Sequence, residues 1–242
     1  MPAGPATETP LGRPRLHLRR CDSTNARARS LALDGAPHGT LVSADEQTAG
    51  RGRQGRTWLA PAGACLLCSL VLREQHTTSP ATLLPLIAGV ALCDAIDQDA
   101  MLKWPNDVVL GDDLAKVAGI LVEGRPQDGW AVVGIGVNVA LRLQELPADV
   151  RARAGTLGLP HSAIEPLLQR FLQALSACLQ ESPQRVLERW RSADALRGRE
   201  VSWAEGCGTA QGVDDRGRLL VRRAGGAVAR LSAGDVHLSA AG

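Results

Sequence analysis

The rhythm of apolar and polar positions changes repeatedly along the chain, and each change predicts an element. Residues 21 to 35, CDSTNARARSLALDG, set Ala and Leu at helical spacing behind Ser23 or Thr24 as N-cap, with Gly35 just past the end, which predicts a short helix. GTLVSAD then reads as a strand, and EQTAGRGRQGRTWLAPAGA as a Gly/Arg loop of no regular period. CLLCSLVL is an apolar run suited to a buried strand, and SPATLLPLIAGVALCDAID a buried helix in spite of its proline. LKWPNDVVL, KVAGILVE and WAVVGIGVNV are strand-like runs parted by GDD and GRPQDG, the turn chemistry of antiparallel neighbours. Residues 163 to 197 predict one or two amphipathic helices, with Leu167, Leu168, Phe171, Leu172 and Leu175 on one stripe. After Gly198 the texture shifts to short strands (REVSW, GTAQGVD, GRLLVRR, AVARL, DVHL) with Gly or Asp at their ends, as in a small five-stranded barrel. No internal repeat is visible. The expected architecture is α+β: a mixed or antiparallel sheet flanked by helices over residues 15–197, then a small barrel over 198–242, preceded by a flexible Pro/Gly-rich tail, 1–14.

Composition narrows the class. Apolar residues at 45% and charged residues at 21% of 242 are those of a folded globular chain. A net charge of +2 gives no footprint for wrapping nucleic acid, so an anionic ligand must be held locally. The longest apolar stretch, LLPLIAGVALCDAI, is too short to span a bilayer, and the N-terminus has no signal-peptide pattern. A cytoplasmic protein with six reduced cysteines and no membrane partner is expected. Only two of the 27 basic residues are lysines, Lys103 and Lys116, and the asparagines are Asn25, Asn106 and Asn138. Where arginine fills almost every cationic position, a lysine marks a place that needs a compact, movable ammonium.

These scarce residues fall in unusual segments. Gly50-Arg51-Gly52-Arg53-Gln54-Gly55 fits G-x-G-x-x-G, but a dinucleotide site needs a helix to start there, and Pro61 and Gly63 follow instead. The interleaved Arg51, Arg53 and Arg56, with Trp58 after them, make a cationic flap suited to closing over a phosphate-bearing ligand. In KWPND the proline marks a strand edge or bulge, with Lys103, Asn106 and Asp107 around it. KVAGIL sets Lys116 at a strand start, and Gly119 allows close approach. In GIGVNV, Gly134 and Gly136 alternate, leaving one sheet face open for a flat ligand, with Asn138 on that face. The single C-x-x-C, Cys65 and Cys68, lies in an apolar strand and reads as structural; the histidines show no ligand spacing, and no nucleophile elbow or Walker A sequence occurs.

Together GRGRQGRTW, KWPND, KVAGIL and GIGVNV, in this order and spacing, resemble the catalytic domain of biotin protein ligases, over about residues 20 to 242, with GCGTAQGVDDRGRLLV similar to that family's SH3-like C-terminal domain. The resemblance implies a class II aminoacyl-tRNA synthetase-like fold. It also implies a reaction in which biotin and ATP, with Mg²⁺, give biotinyl-5′-adenylate, whose biotinyl group passes to a lysine of a biotin carboxyl carrier protein domain of a biotin-dependent carboxylase. Regulatory members carry an N-terminal winged helix; about 20 residues precede the first motif here, so no DNA partner is expected. Monomer and homodimer both remain open, and a lipoate or octanoate ligase or transferase of the same fold is the alternative.

Roles follow from the same likeness. Lys116 would bridge the biotin carboxylate and the α-phosphate, with Lys103, Arg51 and Arg53 on the other phosphates. Ser23, Thr24 and Gln47 would hold the ureido group with the backbone at Arg51 and Gly119, while Asn25, Gly52, Arg53 and Gly134 complete the biotin pocket. Trp58 would stack on adenine, Asn106 and Asn138 would anchor the nucleotide, and Asp107 would be the carboxylate near Mg²⁺. The turn between Asp107 and Lys116 is longer than the family's usual one.

Overall fold

A computed structural model of the chain describes residues 10–77, 79–96, 98–232, 234 and 236–238; most of the expected tail, up to residue 9, lies outside the described residues. The elements run β1 (Arg15–Leu18), α1 (Thr24–Leu33), β2 (Leu41–Ala44), β3 (Cys65–Arg73), α2 (Leu84–Ala95), β4 (Met101–Lys103), β5 (Asp107–Leu110), β6 (Ala115–Arg125), β7 (Trp130–Asn138), α3 (Ala148–Arg151), α4 (Ile164–Gln180), α5 (Pro183–Ser192), and then β8 (Glu200–Trp203), β9 (Gly206–Val213), β10 (Leu219–Arg222), β11 (Val228–Leu231) and β12 (His237–Leu238). The first seven strands form one sheet in the order β1-β2-β3-β7-β6-β5-β4, and the last five form a second in the order β11-β10-β9-β8-β12. All neighbours in the large sheet are antiparallel except β1 and β2, so the sheet is mixed, as expected.

Helices α2, α4 and α5 cover one face of the large sheet and build the main core around Ile87, Phe171 and Trp190. Each such side chain withdrawn from water contributes about 1.5–3 kcal/mol. The other face carries α1 over Val42, Val71, Trp130 and Val132, and leaves the centre of the sheet to the site described below. The proline in the buried helix sits in the first turn of α2, where no intrahelical N–H is needed, so it starts the helix rather than interrupting it. The 163–197 stretch divides at Ser182, which caps α5 by accepting from Arg185 N at 3.4 Å, with Pro183 at the first helical position.

Strand β1, like the single turn of α3, is an element the apolar pattern did not predict. RLHL is mostly exposed and becomes a strand only because each residue pairs in parallel with β2, from Arg15 opposite Leu41 to Leu18 opposite Ala44. The C-terminal sheet is joined to the rest closely: Val201, Ala210, Val213, Leu219 and Val221 belong to the same apolar cluster as α2. The indole of Trp104, in the β4–β5 turn, donates to Gly217 O at 3.0 Å, which ties KWPND to that sheet.

A buried histidine is expected to make the fold acid-sensitive. His38 is buried and its Nδ1 accepts the Arg73 backbone N–H at 3.1 Å, while Arg73 donates to the carbonyl of Ala32 in the last turn of α1 and to that of Ala36 just beyond it. Burial and the neighbouring His76 ring push the His38 pKa from 6.5 to about 4. A base whose folded pKa is depressed gives stability that is complete above 6.5 and is lost as pH falls towards about 4. Urea midpoints should therefore drop between pH 6.5 and 4 in the wild type, and His38→Gln, which keeps an acceptor, should flatten that interval. An unchanged slope in the variant would assign the effect elsewhere.

Candidate active site

The open face of the sheet is floored by glycines from two adjacent strands. Gly119 on β6 pairs with Gly136 on β7, and Leu121 with Gly134, so bare backbone spans both strands. Side chains of the protein occupy that space in part: a Cβ on Gly134 would lie 1.8 Å from Asn25 Oδ1, and one on Gly136 would lie 2.6 Å from the Trp58 ring. A face bared of side chains in a dry interior is filled by whatever flat group reaches it, because an empty gap forfeits dispersion contacts. Trp58 also lies over Gly119, with its Nε1 buried and unpaired among the described residues, so it forms a wall of the slot rather than a free platform. Beside it, under the flap, is a cavity of about 810 Å³, walled by residues 48 to 57 with Leu121 and Glu123 of β6.

One wall is a polar network at the start of α1. Ser23 occupies the N-cap position in extended conformation but makes no side-chain cap bond. Thr24 donates from its backbone N (2.7 Å) and its hydroxyl (3.1 Å) to Gln47 Oε1, which leaves Gln47 Nε2 without a protein acceptor among the described residues. Asn25 is fully engaged: Nδ2 donates to Leu121 O at 3.2 Å and Glu123 Oε2 at 2.8 Å, and Oδ1 accepts from Ser69 Oγ at 2.6 Å. Asn25 therefore shapes the pocket with no donor left over.

The opposite end is cationic. Lys116 Nζ is 2.7 Å from Asp107 Oδ1 and 5.5 Å from the centre of the Trp58 ring. A bulge brings them together: Val108 pairs with Ala118 but Val109 with Lys116, so the extra residue of β6 is absorbed beside the lysine. Arg53 reaches across from the flap to Asn106 Oδ1 at 3.3 Å, and Asn106 Nδ2 donates to Ile120 O at 2.8 Å. Burial holds the Lys103 ammonium below its ordinary range; Asp107 opposes this, and the charges of Lys116, Arg153 and Arg56 add to it. Burial likewise lowers Arg53, with Asp107 opposing and Arg56 adding to the shift. Arg53, Lys103 and Lys116 thus surround one carboxylate, a cluster that attracts a polyanion.

The flap is more regular than its composition suggests. Arg51 bridges Thr57 across an antiparallel pair, Gly52 N donates to Arg56 O at 2.7 Å, and Gln54 turns the chain at φ 55°. Asn138 faces the glycine side, but its Nδ2 donates to Gly155 O (2.8 Å) and Lys116 O (3.3 Å), so its amide holds backbone. Ser69, Glu123 and Arg153 were not among the sequence candidates. A lone hydroxyl inside CLLCSLVL and a carboxylate ending KVAGILVE were the available signals for the first two; Arg153 had none in so arginine-rich a chain. Cys65 and Cys68 are free and buried, their thiols pushed up to about 12 by burial, in keeping with a structural part. Among the described residues no group of His, Cys, Asp and Glu could hold a metal ion.

Comparison with known proteins agrees with this geometry. Residues 17–139 match the model of the Biotin/lipoate A/B protein ligase family, and residues 207–239 that of the Biotin protein ligase C terminal domain. The chain is 34% identical to the biotin–[acetyl-CoA-carboxylase] ligase of Paracoccus denitrificans, over 85% of this chain and 92% of that one. It is also 34% identical to the ligase of that name from Mycobacterium tuberculosis, over 89% and 86%. Among solved structures, the biotin protein ligase of Aquifex aeolicus in complex with biotin and ATP superposes with a TM-score of 0.75 at 30% identity, covering 93% of this chain and 98% of that one.

Proposed function

The chain belongs to the biotin/lipoate A/B protein ligase family, and from that premise we propose that it is a biotin protein ligase, activating biotin with ATP as biotinyl-5′-AMP and passing it to a lysine of a biotin carboxyl carrier protein. The observation that carries this reading is the pairing of an uncommitted donor, Gln47 Nε2, with an acceptor, Thr24 Oγ1, at one end of a glycine-floored slot whose other end is Lys116. A cyclic urea presents a carbonyl acceptor beside N–H donors, and a valerate tail carries its carboxylate to the far end of such a slot.

In the first step a carboxylate oxygen attacks the α-phosphorus and the bond to pyrophosphate breaks. Two anions must meet, so fixed cations stabilise the transition state more than the separated reactants. Lys116 is placed for this once its ammonium turns from Asp107 to the incoming oxygens. Arg53 and Lys103, with Arg51 from the flap, hold the remaining phosphates. With one carboxylate, Asp107, beside these cations, Mg²⁺ fits as an ion carried by nucleotide phosphates and water rather than by a protein cage. In the second step the carrier lysine's amine attacks the acyl carbon, the acyl–phosphate bond breaks, AMP leaves and the amine loses its proton. Trp58 stacks on adenine in this reading only if its ring swings off Gly136 as the flap closes. Asn138 acts on the nucleotide through the Lys116 backbone it holds. No helix among the described residues is long and apolar enough to cross a membrane, and we place the reaction in the cytoplasm, where ATP and carrier are found together.

Biotin-dependent exchange of labelled pyrophosphate into ATP, followed by transfer of labelled biotin to a carrier domain, tests the proposal. Lipoate and octanoate serve as competing substrates; exchange driven by either in place of biotin would refute it. The flap supplies a second check. Its exposed Arg51 and Arg56 should be cut quickly by trypsin in the free protein and the half-buried Arg53 more slowly, and biotin plus ATP should slow cleavage at all three by about tenfold as their guanidinium groups take up phosphate. Equal rates with and without ligands would remove the flap from the nucleotide site.

A further inference from the structure

Glu123 contributes no contact to the cationic end of the site, yet it lines the cavity beside α1. Its Oε2 accepts Asn25 Nδ2 at 2.8 Å and its Oε1 accepts the Arg29 guanidinium at 3.1 Å, so both of its oxygens are tied to α1. Resting on the biotin reading above, we infer that Glu123 is a positioning residue that sets biotin specificity, by fixing which way the Asn25 amide faces and hence which protons Thr24 can receive. A carboxylate bound to a guanidinium accepts and does not donate, so it requires the nitrogen of the Asn25 amide on its own side. Leu121 O makes the same demand at 3.2 Å.

The amide oxygen is thereby turned towards Ser69, which has one proton and two acceptors within reach: Asn25 Oδ1 at 2.6 Å and Thr24 Oγ1 at 2.8 Å. With the amide so oriented, the proton goes to the carbonyl, the nearer and stronger acceptor. Thr24 then sends its own proton into the protein, shared between Ser69 Oγ at 2.8 Å and Gln47 Oε1 at 3.1 Å, and keeps a lone pair for a ligand N–H. Were the amide reversed, its nitrogen would donate to Ser69, whose proton would then occupy Thr24. Gly134 makes the arrangement possible, because Asn25 Oδ1 lies where any Cβ there would stand. The hydrogen-bond polarity of the pocket thus starts at Glu123, the nearer of the two acceptors of the Asn25 amide, and ends at Thr24, and it selects a ring that donates at that point.

The test separates polarity from charge and from bulk. Glu123→Met removes the acceptor at similar size, whereas Glu123→Gln keeps an oxygen for Asn25 and removes the charge. The substrates are biotin and an analogue in which a ring N–H is replaced by oxygen, assayed by pyrophosphate exchange. In E123M the KM for biotin should rise about tenfold, the worth of one net hydrogen bond, with kcat and the KM for ATP within about twofold. The preference for biotin over the oxygen analogue should fall by a similar factor, and E123Q should recover most of both. An unchanged preference in E123M, or equal losses in E123M and E123Q, would overturn the inference. If E123M does not fold, Asn25→Leu removes the amide itself, and its preference must fall at least as far. A wild-type protein that gives no biotin-dependent exchange would instead overturn the biotin reading on which this rests.

Discussion

Lys116→Arg is expected to lower the single-turnover rate of adenylate formation by about 10²- to 10³-fold, the range found on removing one preorganised charge stabiliser. The substitution keeps the positive charge, so the loss must come from shape. The ammonium sits 2.7 Å from Asp107, and its Cε and Nζ lie 3.3 Å from where a Cβ of Gly119 would be, under the Trp58 ring. A guanidinium is planar and larger, and its fork would lock onto the Asp107 carboxylate instead of swinging to the reacting oxygens. Supplying purified biotinyl-adenylate bypasses the first step, so transfer to the carrier should stay within about fivefold of wild type. Rapid-quench measurement of both half-reactions checks this. An adenylation rate close to wild type would take Lys116 out of the first step.

Gly134→Ala should nearly abolish biotin binding and destabilise the fold by about 1–3 kcal/mol, the usual cost of forcing a methyl group into filled space. The new Cβ would stand 1.8 Å from Asn25 Oδ1 and 2.7 Å from its Cγ. Asn25 has no alternative position, since Leu121, Glu123 and Ser69 hold its amide from both ends. The amide must leave, and the first turn of α1, with Thr24, goes with it. We expect the KM for biotin to rise by at least about a hundredfold, from the loss of two or more buried hydrogen bonds. Urea unfolding alongside biotin titration separates the two effects. Normal biotin affinity in a stable Gly134→Ala protein would show that the glycine floor is not part of the pocket.

Much of the architecture was legible in the chain because it depends on local rules. Runs such as CLLCSLVL and the leucine stripe of α4 bury one way only, and GDD turns the chain back from β5 into β6. The site was legible where chemistry is rare: with arginine at nearly every cationic position, Lys103 and Lys116 stood out, and both come to lie around Asp107. Strand β1 was not legible, since RLHL has no apolar pattern and owes its conformation to β2, about 25 residues away.

The sequence by itself determined most of the elements, where the glycines leave a sheet face bare, and which side chains are able to carry charge to a phosphate. These are properties of spacing and residue type, set before any distant segment arrives. The tertiary structure alone decided what fills the bare face and how the polar groups are paired. Trp58 lies on Gly136 and Asn25 on Gly134 because segments far apart in the chain meet there. Asn138 holds the backbone at Lys116, Ser69 stands between Thr24 and Asn25, and Glu123 fixes the amide, for the same reason. A buried hydrogen bond forms only when both partners have been brought within about 3 Å of each other and out of water, and that distance is settled by the packing of the whole chain.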